Sequence, residues 1–83
     1  MKETTFKFGV KIATTEAYEM LRNKLAKIQG IAAIELEEET LSVRAFFENG
    51  EQAKKIHNKV INALIKTQDV TVTSATTMLT DIF

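Results

Sequence analysis

The chain reads as an α+β domain built in the order strand, helix, strand, strand, helix, strand: a four-stranded antiparallel sheet with two helices on one face. Two observations predict it. Stretches with an apolar residue at every second position alternate with stretches where apolar residues return every third or fourth position. The strand-helix-strand rhythm also occurs twice within 83 residues, and a right-handed crossover in each half carries both helices to the same side of the sheet.

The first strand is predicted over 4–12. Phe6, Phe8, Val10 and Ile12 alternate with Lys7, Gly9 and Lys11, the signature of a strand with one buried face. Thr14 or Thr15 is positioned to cap a helix, and Glu16 and Glu19 favour its positive end. Tyr18, Leu21, Leu25 and Ile28 form one apolar stripe, and Gly30 can close the helix in a left-handed turn. The second strand begins at Ile31, with Ala32, Ile34 and Leu36 expected inward and Glu35 and Glu37 outward. A charged turn, Glu37-Glu38-Glu39-Thr40, leads to a third strand whose inner face is Leu41, Val43, Ala45 and Phe47, which makes the pair a hairpin. Asn49 with Gln52 resembles a capping box. A second helical stripe follows in Ala53, Ile56, Val60 and Leu64, flanked by His57, Ile61 and Ile65. The fourth strand is predicted over 69–74. Together these elements make a ferredoxin-like split βαβ fold in a single domain over 1–83, with one sheet face left bare. Residues 75–83 form a C-terminal tail carrying Met78, Leu79, Ile82 and Phe83.

Composition narrows the chemistry. Eleven basic residues balance eleven acidic ones, so no global field draws the chain to nucleic acid or to an anionic membrane. No run of about 18 apolar residues is present to span a bilayer, and no signal peptide is visible behind Met1-Lys2-Glu3-Thr4. A cytoplasmic protein is expected. Cysteine is absent, which removes disulfides and thiolate metal sites.

The framework from Phe6 to about Val72 resembles the heavy-metal-associated domain of small copper chaperones. Gly30-Ile31-x-x-Ile34-Glu35-Leu36 is similar to that family's stretch after the first helix, and Leu41-Ser42-Val43 to the start of its third strand. By the same alignment Thr14 and Ala17 stand where the family's two metal-binding cysteines would be. A hydroxyl and a methyl cannot replace the soft thiolates that select Cu(I), so thiolate metal binding does not carry over.

Candidate sites are sparse. His57 is the only histidine and borders the second apolar stripe, where it reads as a core-edge residue. The glutamates Glu35, Glu37, Glu38 and Glu39 lack the aspartate-and-glycine loop of a Ca²⁺ site. Met20, Met78 and His57 have no spacing that brings them together as a soft-metal site. Gly9, Gly30 and Gly50 are scattered rather than gathered into a phosphate cradle. No serine is set beside a base, so no enzyme is expected, and no cofactor. Lys7, Lys11, Arg44 and Phe46 share the bare face, but the third strand lacks the glycine-bearing RNA-recognition consensus. The expected function is a non-enzymatic interaction module, self-associating or docking another protein. Its surface would comprise Lys11, Arg44, Phe46, Met78, Leu79, Ile82 and Phe83. Metal carriage by non-cysteine ligands and small-molecule sensing by paired ferredoxin-like domains are the alternatives.

Overall fold

A computed structural model describes residues 2–76. The elements run β1 (Lys2–Ile12), α1 (Thr15–Ala26), β2 (Ile31–Glu37), β3 (Thr40–Phe47), α2 (Gly50–Lys66) and β4 (Val70–Thr76). The strands form one antiparallel sheet in the order β2-β3-β1-β4, the ferredoxin-like arrangement. Phe6, Phe8 and Val10 of β1 and Leu41, Val43, Ala45 and Phe47 of β3 point to one side. They meet Leu21 and Leu25 from α1 and Ala53, Ile56, Val60 and Leu64 from α2 in a single core. Both helices therefore cover the same face, and the other face of the sheet stays bare.

Local chemistry sets the ends of the helices. The Thr14 hydroxyl accepts from the Ala17 backbone N–H at 3.0 Å, which caps α1. The stripe of α1 includes Ala17, buried like Leu21 and Leu25. Tyr18 is only half-buried, and Ile28 packs on the core from beyond the helix end. Asn49 caps α2 by accepting from the Gln52 N–H. The Gln52 side chain reaches back to the Glu48 N–H, one residue before the cap, so the reciprocal bond of a capping box is displaced by one position. At the far end of α2, the buried Thr67 hydroxyl donates to the Ala63 carbonyl at 2.6 Å and lies 3.3 Å from the Lys24 ammonium. Lys24 thereby ties α1 to the carbonyl end of α2, where a cation is favourable.

Three expectations are corrected. Ala32 does not face the core: it is exposed, and the β2–β3 register shifts between Ile31 and Ala33. A bulge there lets Ile31 pair with Ala45 and Ile34 with Val43, both on the inner side. Asp69 lies outside β4, with a left-handed φ of 65°, and the strand runs on to Thr76. Gly30 does not close α1, which ends at Ala26. It sits at the entrance to β2 with φ of 100°, and its carbonyl accepts from the Phe46 N–H at 2.7 Å. The tail residues Met78, Leu79, Ile82 and Phe83 lie outside the described residues.

A Cβ at Gly30 would come within 2.8 Å of Ile56 Cδ1 and 2.9 Å of the Phe46 carbonyl, and the left-handed φ already disfavours any side chain. Gly30→Ala is expected to cost about 1–3 kcal/mol and to lower the melting temperature by roughly 5–20 °C. Thermal unfolding followed by circular dichroism checks this.

Candidate functional site

The bare face is a surface that the core leaves uncovered. Its side chains follow from strand alternation and register. β2 presents Ala33, Glu35 and Glu37; β3 presents Ser42, Arg44 and Phe46; β1 presents Glu3, Thr5, Lys7, Gly9 and Lys11. On β4 the register shifts opposite Gly9 and Val10, leaving Thr73 as an extra residue. The Thr73 and Ser74 hydroxyls both lean over Gly9, 2.6 and 2.5 Å from where a Cβ would stand there. Gly9 is thus the space into which the bulge folds its side chains.

Lys11, Arg44 and Phe46 all lie on this face, but the structure does not gather them. Arg44 pairs with Thr5 in the register. Lys11 is six residues further along β1, a distance of about 20 Å. Arg44 is also not a free cation: its Nε is 3.5 Å from the Glu3 carboxylate, with both side chains about half exposed. Such a pair is weak at the surface. Phe46 is half-buried. A basic platform around one aromatic is therefore absent, and the charges fall in bands instead. Glu35 and Glu37 lie on the β2 edge, Lys7 and Lys11 on β1, and hydroxyls on β4. A hollow of about 350 Å³ lies over Thr5, Ala33, Glu35, Ser42 and Arg44.

His57 lies on the opposite side of the sheet. Its ring stacks on Phe8 at 5.6 Å between centroids and meets Phe6 edge-on at 5.4 Å. Nε2 is buried without a hydrogen-bond partner. Burial lowers the pKa from 6.5, opposed by a side-chain hydrogen bond with Asn58. Burial against the two phenylalanines disfavours the charged form of this core-edge histidine. Among the described residues, no group of three or more His, Cys, Asp or Glu side chains is placed to hold a metal ion. Thr14 caps α1 and Ala17 is buried in the core.

The second surface feature was not foreseen from the sequence. A half-open groove of about 420 Å³ lies at the end of the molecule where β3 leaves the sheet. Gln29 and Gly30 form one wall, Phe46, Phe47 and Glu48 the second, and Gln52, Lys55, Ile56 and Lys59 of α2 the third. Sequence reading missed it because its walls come from three separate segments, although the glycine that brings two of them together is visible. No helix among the described residues is long and apolar enough to cross a membrane. No family model matches the chain, and no curated protein matches it.

The lowered pKa of His57 fixes the sign of a pH effect. Above about pH 6.5 the ring is neutral in both folded and unfolded chains, so its packing contributes fully. As the pH falls below 6.5 the unfolded chain takes the proton first, and stability declines until the folded ring also titrates. The melting temperature is therefore expected to fall between about pH 7 and pH 5, and His57→Leu is expected to flatten that decline. Melting curves of both chains across this range check it.

Proposed function

We propose that the chain is a non-enzymatic protein-interaction module that pairs with a second copy of itself through the bare face of its sheet. One observation carries this reading: acidic side chains of β2 and basic side chains of β1 flank β3 at neighbouring levels of that face. Glu35 and Lys7 lie in one row, each opposite Ser42; Glu37 and Gly9 lie in the next, each opposite Thr40. A twofold axis along β3 lays β2 of one copy over β1 of the other and keeps each row in place. Glu35 then meets Lys7, and Glu37 falls between Lys7 and Lys11. The contact is isologous, so each charge match occurs twice.

Other features of the face fit the same geometry. Three acidic side chains (Glu3, Glu35, Glu37) stand against three basic ones (Lys7, Lys11, Arg44), which leaves the face balanced. Thr5, Ser42 and Ala33 are short side chains around Arg44 at the centre of the face. Arg44 would meet its own symmetry mate, but Glu3 beside it offsets that repulsion. Phe46 would meet Phe46, an aromatic contact at the rim. Three strands and about seven residues give a footprint of roughly 330 Å². That is well short of the roughly 800 Å² per partner of a standard interface. The dimer is weak and salt-sensitive, with a dissociation constant of about 100 μM or higher.

This reading treats the likeness to heavy-metal-associated domains as one of scaffold. The βαββαβ frame is kept, the loop that would hold the ion serves as a helix cap, and the sheet face becomes the working surface.

Charge reversal tests the proposal. In sedimentation equilibrium at low salt the parent chain is expected to dimerise. Glu35→Lys with Glu37→Lys, and separately Lys7→Glu with Lys11→Glu, are each expected to be monomeric. An equimolar mixture of the two variants is expected to restore a dimer, because every reversed charge regains an opposite partner. Variants that associate as the parent does, or a mixture that stays monomeric, would contradict it.

A further inference from the structure

The groove at the end of the molecule where β3 leaves the sheet has a chemistry of its own. Its inner wall is apolar: Ile56 and Phe47 are core residues whose edges reach it, and Phe46 is half-buried beside them. Gly30 adds no side chain, so the turn before β2 presents bare backbone; any Cβ there would strike Ile56 or the Phe46 carbonyl. The opening is lined by the exposed side chains of Gln29, Gln52, Lys55 and Lys59. Lys55 and Lys59 are four residues apart on α2 and so lie on one side of the helix. Neither ammonium has an ion-pair partner among the described residues, and they outnumber the one carboxylate of the groove, Glu48. The groove also lies beside the first turns of α2, whose N-terminus is the positive end of the helix dipole.

We infer that this groove binds a small organic anion: a phosphate or carboxylate group carried on an aromatic or branched aliphatic body. The charged group sits between Lys55 and Lys59, with the Gln52 and Gln29 amides within its reach, and the body lies against Ile56 and Phe47. The volume of about 420 Å³ matches a ligand of metabolite size. Neither half of such a ligand suffices. An inorganic anion has nothing to place on the apolar wall, and a neutral aromatic leaves the ammoniums to water. The two parts are held in one molecule, so the ordering cost is met once for both.

Phenyl phosphate is the probe, with inorganic phosphate and phenol as its two halves. Titrated into the intact chain and followed by amide NMR, phenyl phosphate is expected to give saturable shifts at Gly30, Phe47, Gln52 and Lys59, with a dissociation constant of about 1 mM or tighter. Each half is expected to bind at least about tenfold more weakly. Lys55→Ala with Lys59→Ala, both at exposed positions that leave the core intact, is expected to weaken phenyl phosphate by at least about tenfold. Lys54→Ala, exposed on the same helix but outside the groove, is expected to bind as the parent does. The proposal is overturned by shifts that do not saturate by about 10 mM or that lie elsewhere on the surface. Inorganic phosphate binding as tightly as phenyl phosphate would also overturn it, as would an equal loss in the Lys54 variant.

Discussion

Everything in this protein depends on one-sided burial. The chain has a single apolar layer, made by Phe6, Phe8, Val10, Leu41, Val43, Ala45 and Phe47 on the sheet and by two short helical stripes opposite. At about 25 cal/mol per Å² of apolar surface removed from water, that layer is the main term opposing chain entropy. No disulfide assists it. A one-residue slip of β1 or β3 would turn the whole layer to solvent, so the register is strongly specified. The same specification fixes which side chains appear on the other face, and in which rows.

The bare face is therefore a consequence of the core. Because Phe6 and Phe8 must point inward, Lys7 must point outward; because Leu41 and Val43 are buried, Ser42 lies between them on the outside. The outward set was free to take polar residues, and it carries Glu35 and Glu37 on β2 against Lys7 and Lys11 on β1, with Glu3 of β1 beside Arg44. Antiparallel sheets commonly leave such a face to water. The proposed pairing with a second copy rests on that banding. The groove arises differently, at an edge where the core runs out: Gly30, Ile56 and Phe47 close the layer there, and α2 sets two lysines above it.

The sequence carried the element order, the inner faces of β1 and β3, the buried stripe of α2 and the setting of His57, because alternation and helical spacing encode them directly. It did not carry the two bulges. Ala32 reads as inward on strict alternation, and only the paired strand reveals that Ile31 takes that place. Thr73 and Ser74 likewise look like ordinary alternating residues, and Gly9 is the one hint that something crosses that point. Neither was the candidate surface legible as a patch. Lys11 and Arg44 share a face by parity, but parity says nothing of the distance between them along the sheet. The ion pair of Arg44 with Glu3 depends on the β1–β3 register, which no local pattern supplies.

The central claim, that the uncovered sheet face is the working surface of the protein, is tested most directly by cross-saturation NMR. A deuterated, ¹⁵N-labelled chain is mixed with an unlabelled protonated copy at high concentration and low salt. The account predicts signal loss at the amides of β2, β3 and β1, centred on Glu35, Ser42 and Lys7, with α1 and α2 untouched. Loss centred on the outer surfaces of the helices, or no loss anywhere, would contradict it.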